Sequence, residues 1–211
     1  VGGRARDPGD VVDEVLRLLE PHAHAELYVE SVVRLLTTFR ARRYILLGSM
    51  YDVVPHTRPL LVSGYGMGKE GLQDVDRAGV LPITYSGPST IVNMITKEAA
   101  EAGIGAGAFI VSLPQYVVLD EDYQGKVRLM EILNRLYGIP VSEEEFEKAL
   151  AQRYAISEKI KNSAEVRAVL PQLESVYDMR VRAMEGRTSS SLNPDLEDML
   201  WKIAGDNVGK A

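Results

Sequence analysis

Thr90-Ile91-Val92-Asn93-Met94-Ile95-Thr96-Lys97-Glu98-Ala99-Ala100-Glu101-Ala102-Gly103-Ile104-Gly105-Ala106-Gly107-Ala108-Phe109-Ile110-Val111 changes its period halfway along. Ile91, Ile95, Ala99 and Ala102 recur at helical spacing, with Thr90, Asn93, Lys97 and Glu101 on the other face. Gly103 supplies a stop signal. Ala106 to Val111 is then apolar or glycine at every position, and Ser112-Leu113-Pro114 ends it. A continuous apolar run of that length predicts a strand covered on both faces, as in parallel sheets. One helix feeding one such strand is half of a βαβ unit.

The same alternation extends towards the N-terminus. Tyr28, Val32, Leu35, Leu36 and Phe39 predict one face of a helix from His24, with Glu30 and Arg34 opposite. Tyr44-Ile45-Leu46-Leu47, closed by Gly48-Ser49, predicts a second buried strand. Leu60-Leu61-Val62 and Ile83-Thr84-Tyr85 predict two more, separated by a loose glycine-rich stretch at Gly64 to Gly71. Ser86-Gly87-Pro88-Ser89 predicts the opening of the quoted helix. Val11 to Leu19 fits strand or helix equally. The fold class this predicts is α/β: a three-layer α/β/α sandwich on a mainly parallel sheet.

The last third is helical. Leu129, Ile132, Leu133 and Leu136 predict a helix ended by Gly138 and Pro140. Ser142-Glu143-Glu144-Glu145 is a capping box into a helix carrying Phe146, Leu150, Tyr154 and Ser157. A third helix from Asn162 or Ser163 carries Val166, Val169, Leu170, Leu173, Val176, Tyr177, Val181 and Met184 on one seam, with a kink or restart expected at Pro171. Residues 1–140 are therefore expected to form the α/β core, 141–185 a helical hairpin, and 186–211 a polar linker with a short amphipathic helix around Trp201. That last helix is expected to pack on its own domain or a copy, or else to engage another protein. The polar opening from Val1 to Asp10 has little power to form a core, and reads as a frayed start or as the mark of something that preceded it.

Composition removes several function classes. The 211 residues include no cysteine, which excludes a disulfide framework and thiolate chemistry and suits a cytoplasmic location. A net charge of −6 argues against a dedicated nucleic-acid binder, and no long apolar run predicts a membrane span. Gly66-Met67-Gly68-Lys69-Glu70-Gly71 matches G-x-G-x-x-G. It lacks the acidic residue that a dinucleotide fold needs at the next strand end, and Leu72 to Ala78 reads as too short and polar for a crossover helix. Glu70 after Lys69 also rules out a phosphate P-loop. His22 and His24 have no third ligand nearby, so they read as surface or capping residues, and neither a metal nor a cofactor is expected.

Ligands of open α/β sheets collect beyond the carboxyl ends of strands. The loops following predicted strands hold Ser49 and Asp52, Ser89 and Thr90, and Gln115 and Tyr116, and all three are expected on one edge of the sheet. His56 and Arg58 share a loop stiffened by Pro55 and Pro59, suited to binding an anion or to fixing the loop to a neighbouring carboxylate. These eight residues are the candidate site, for a ligand or a partner. None is assigned a catalytic role.

Gly48-Ser49-Met50-Tyr51-Asp52-Val53-Val54-Pro55-His56-Thr57-Arg58-Pro59 resembles the strand-end loop of bacterial members of the proteasome-assembly-chaperone-2 family. Tyr85-Ser86-Gly87-Pro88-Ser89-Thr90-Ile91 is similar to that family's helix entry, and Ala102-Gly103-Ile104 with Leu113-Pro114-Gln115-Tyr116-Val117 to a later stretch. The likeness covers roughly residues 24–183. Gln115 stands where a His often occurs, Gly105 replaces a Pro, and the family's opening strand and glycine-rich turn are not visible. The resemblance implies an α/β/α sandwich loosely like nucleoside phosphorylases, a C-terminal helical extension and homo-oligomers, with a trimer as one arrangement. It also implies protein partners, among them proteasome subunits or their C-terminal tails. The function expected is protein-binding and assembly-chaperone-like. The alternative is a small-molecule enzyme with a phosphorylase- or hydrolase-like cleft at the strand ends. A third reading is a structural homo-oligomer whose loops only join subunits.

Overall fold

The structure is a computed structural model that describes residues 21, 23–83 and 90–187. Among the described residues ten elements follow in order: α1 (Ala25–Thr38), β1 (Arg43–Asp52), β2 (Val62–Met67), α2 (Gly68–Ala78), β3 (Leu81–Pro82), α3 (Ile91–Glu101), β4 (Gly105–Pro114), α4 (Tyr123–Tyr137), α5 (Glu143–Lys161) and α6 (Ala164–Arg187). The predicted segments 11–19, 84–89 and the Trp201 helix lie outside the described residues.

The four strands form one sheet in the order β1-β4-β2-β3. β1 and β4 are parallel, as are β2 and β3, while β2 meets β4 antiparallel. β4 is the axis of the molecule, and its side chains alternate with period 2. Phe109 and Val111 pack with Ile45, Val62, Ala78, Ile132 and Leu136, so α2 and α4 cover one face. Ala106 and Tyr44 join Leu36, Ala99 and Ile104 on the other, and Val29, Val32 and Ile95 extend that layer under α1 and α3. This is the predicted three-layer sandwich.

Three local expectations are corrected. The glycine-rich segment 64–71 is not a loose loop: it is the second half of β2 running directly into α2, an eleven-residue helix. Close packing explains it. A Cβ on Gly71 would lie 2.1 Å from the carbonyl oxygen of Ala106, and one on Gly66 2.1 Å from that of Gly71, so α2 settles on β4 only without side chains there. β1 is a buried strand in the prediction, yet it ends the sheet among the described strands, and Leu47, Met50 and Tyr51 are exposed. In α1 the buried positions are Val29 and Val32, and Phe39 of the predicted face points to solvent.

The helical third follows its capping signals. Gly138 ends α4 with a φ of 74°. The Glu145 amide donates to the Ser142 hydroxyl at 3.2 Å to start α5. Pro171 does not divide α6, which runs as one helix of 24 residues. Proline there forfeits one backbone hydrogen bond. No helix among the described residues is long and apolar enough to cross a membrane.

Candidate functional site

β1 and β4 end together, Asp52 opposite Pro114, and β2 begins at the same rim, Val62 opposite Val111. The nine residues from 53 to 61 link β1 to β2, too few for the crossover that a parallel return demands, so β2 comes back antiparallel. β3 runs with β2 and therefore points to the opposite rim. The expectation of three loops on one edge is met by the 48–52 and 112–116 segments. The loop that carries Ser89 and leads to Thr90 lies outside the described residues between 84 and 89. Thr90 is exposed and caps α3 through its backbone alone, while Ser89 lies outside the described residues.

At the shared rim the candidates form a lock. One Asp52 carboxylate oxygen accepts from Ser112 Oγ and from an Arg180 N–H, each at 2.9 Å. The other accepts from the Val53 amide at 2.6 Å. The His56 amide donates to Tyr116 Oη at 2.8 Å, and His56 Nδ1 lies 2.9 Å from that same oxygen. Which of Oη and Nδ1 donates in that contact is set by the imidazole tautomer. The rings meet edge to face with centroids 5.7 Å apart. Arg58 reaches Asp178 through Nε at 3.2 Å and Glu174 at 3.4 Å. Thr57 donates to the same Glu174, and an Arg153 N–H reaches the Thr57 carbonyl at 3.3 Å.

α6 is thus strapped across the ends of β1 and β4. Tyr177 adds an apolar anchor, buried with Val54 and Leu61 beside Val181 and Leu81. Ser49 and Gln115 are exposed and take no part in the lock. Glu174, Asp178 and Arg180 are the residues sequence reading missed. Their signal was the acidic i, i+4 pair on α6 facing a basic, proline-stiffened loop. Beside His56 is a cavity of about 10 Å³, room for a single water, lined by Leu60, Pro114, Val117, Asp122, Gln124 and Ile156. An open depression of about 300 Å³ lies between Arg58 and the α6 residues Pro171, Glu174, Ser175, Asp178, Met179 and Arg182. No group of three or more His, Cys, Asp or Glu suited to a metal occurs among the described residues.

The electrostatics match the lock. Burial holds the His56 imidazole below its ordinary value, with Arg153 acting in the same direction and Glu174 against it. The Arg58 hydrogen bond holds the Asp178 carboxyl below its usual range. A depressed histidine makes stability that is present above its unfolded value of about 6.5 and lost as pH falls through the lower folded one. Asp178 gives way only in the more acidic carboxylate range. The melting temperature is therefore expected to drop as pH falls below about 6.5, and His56→Gln is expected to flatten that segment while leaving the acid limb in place. Thermal unfolding followed by circular dichroism across that range checks both.

A sheet covered on both faces, with one rim closed by side-chain pairs and crossed by a helical strap, defines an α/β/α-sandwich protein with a C-terminal hairpin. Residues 11–161 match the PAC2 family, and the chain belongs to it. No curated protein matches this chain. Among solved structures, a Mycobacterium tuberculosis protein of unknown function is 26% identical with a TM-score of 0.69, covering 81% of this chain and 57% of its own. A Corynebacterium glutamicum protein of unknown function has the same score at 22% identity, covering 78% and 60%. A Mycobacterium tuberculosis proteasome-assembly chaperone homologue is 21% identical with a TM-score of 0.63, covering 74% and 63%. The chain spans less than two thirds of the length of each.

Proposed function

We propose that this chain is a protein-binding, assembly-chaperone-like member of its family, whose strand-end rim does structural rather than chemical work. The observation that carries this reading is the lock itself. Asp52, His56, Arg58 and Tyr116 are each engaged by partners from the same chain, and the enclosed space beside them admits one water. A catalytic constellation keeps converging groups free for a substrate. Exposed apolar side chains offer a different resource: Leu27 on α1, Phe39 at its C-cap, and Met50 and Tyr51 on β1. Family membership and the fold shared with the proteasome-assembly chaperone homologue point to the same class of activity. The partners proposed are proteasome subunits or their C-terminal tails, met in the cytoplasm by a homo-oligomer of this chain.

The alternative, a small-molecule enzyme, has the depression between Arg58 and Arg182 as a candidate cleft. The two readings separate in one experiment. The full chain is mixed with purified, unassembled proteasome subunits, and separately with a library of phosphorylated and carboxylated metabolites. Co-elution with subunits and no thermal shift with metabolites is the expected result. A metabolite that raises the melting temperature, with loss of that shift in Arg58→Ala, would overturn the binding-protein reading.

A further inference from the structure

α6 is a long helix that is lightly held. Over residues 164–184 Tyr177 is the one buried side chain, seated with Val54 and Leu61. Its other attachments to the rim are polar: Arg180 to Asp52, Glu174 and Asp178 to Arg58, and Glu174 to Thr57. α5 lies antiparallel beside it. Arg153 and Glu174 both reach Thr57, and they stand ten residues before and eleven after Ser163.

The turn between the two helices is nearly helix itself. α5 ends at Lys161 and α6 begins at Ala164. Asn162 already lies in the right-handed helical region, with φ −89° and ψ −7°. That leaves Ser163 as the break. Its carbonyl and hydroxyl oxygens accept from the Arg167 and Val166 amides at 3.2 and 3.3 Å, which restarts the chain as α6.

We infer that α6 exchanges between two copies of the chain, each copy's α6 closing the rim of the other. Rotation of Ser163 into the helical region joins α5 and α6 into one rod from 143 to 187, about 67 Å long. Glu174 then stands about 32 Å from Arg153 along the axis, so one rim cannot hold both. A second copy presents the vacated rim with the same groups. The occupant is fixed by contacts the structure already makes: Val54 and Leu61 receive Tyr177, Arg58 receives Glu174 and Asp178, and Asp52 receives Arg180. The two rods run antiparallel about a two-fold axis, α6 of one beside α5 of the other, as in the hairpin. Every pair of the lock is kept. Each rod gains amide bonds across Ser163 and loses its serine cap, while joining two chains costs translational freedom, so exchange grows with concentration. Exchange stands whether or not the chain binds proteasome subunits.

The chain has no cysteine, so Leu150→Cys with Met179→Cys, both exposed positions, carries two spin labels without background. The full-length labelled chain is diluted into excess unlabelled wild-type chain, so the distance read lies within one molecule. The hairpin holds the labels within about 25 Å and the rod about 44 Å apart. A long distance whose share rises with protein concentration is expected. Ser163→Ala removes the cap and is expected to raise dimerisation about 25-fold, fivefold at each of two hinges. Two glycines inserted after Asn162 are expected to abolish it. Arg58→Glu is expected to sediment as a monomer, as is Glu174→Arg with Asp178→Arg. Mixed, these two chains are expected to form a heterodimer, because each rim then meets an α6 of opposite charge. Circular dichroism checks that every variant keeps its helices. A short distance alone at every concentration overturns the proposal, as does a dimer that keeps only the short distance, or charge variants that stay monomeric when mixed.

Discussion

Gly71→Ala is expected to destabilise the protein by more than about 3 kcal/mol, a large part of the stability of an ordinary domain. The added methyl would sit 2.1 Å from the Ala106 carbonyl oxygen and 3.1 Å from its carbon. Both are backbone atoms of the central strand, so no rotamer change relieves the clash and α2 must lift from the sheet. Helix propensity works the other way, favouring alanine over glycine by about 1 kcal/mol, and the overlap outweighs it. Lifting α2 would also withdraw Asp74 and Ala78 from beneath α4. Gly68→Ala is the control. That site has a φ of 70° and nothing within 4 Å of the new methyl, so only the left-handed backbone is penalised, by about 1–2 kcal/mol. Urea unfolding of the three proteins is expected to order them wild type, Gly68→Ala, Gly71→Ala; a Gly71→Ala chain as stable as the Gly68→Ala control would contradict the packing described.

Asp74→Ala is expected to cost about 3 kcal/mol, a fall of about 9 °C in melting temperature for a chain of this size. Asp74 is 1% exposed and ties three elements together at the rim opposite the lock. One oxygen accepts from Arg43 Nε of β1 at 2.6 Å and from Tyr137 Oη of α4 at 2.9 Å. Its other oxygen has no hydrogen-bond partner and lies 3.6 Å from an Arg77 nitrogen. Removing the carboxylate leaves the Arg43 guanidinium with Glu70 and the Arg42 carbonyl, and strands the Tyr137 hydroxyl in a half-buried site. Burial first, and then the hydrogen bond to Asp74, push the Tyr137 phenol well above its ordinary value, so the same substitution is expected to bring that titration down. Asp74→Asn keeps an acceptor for Tyr137 and should cost less. Equal losses for the two variants would show that the charge, and not the hydrogen bond to Tyr137, carries the stability.

Much of the layered architecture was legible because its signals are local. The period change at Gly103, the capping box at Ser142 and the stop at Gly138 depend only on near neighbours, and each element they predicted is present. Where the reading failed, contacts distant in sequence made the choice. Residues 64–71 read as a loop because glycine has poor intrinsic helix propensity, while their helical start rests on a carbonyl 35 positions away in sequence, from Gly71 to Ala106. The apolar residues Phe146, Leu150 and Tyr154 of α5 do not by themselves say which face of the helix meets the core, and all three are exposed. The narrow space against α4 selects Ala149 and the inward Gln152 instead.

The candidate site divides along the same line. The amino acids alone identified the loop from Asp52 to Pro59 and offered either an anion or a carboxylate neighbour for Arg58. Only the fold shows that α6, more than 110 residues further along, supplies Glu174, Asp178 and Arg180 to that loop. Secondary structure follows from propensities and periods a few residues wide, so the sequence by itself determined the α/β class, the helical C-terminal third and the family resemblance. Strand direction, the outward face of α5 and the closing of the rim depend on which distant surfaces meet. Those were decided by tertiary packing, where loop length, backbone clearance and charge pairing outweigh local preference.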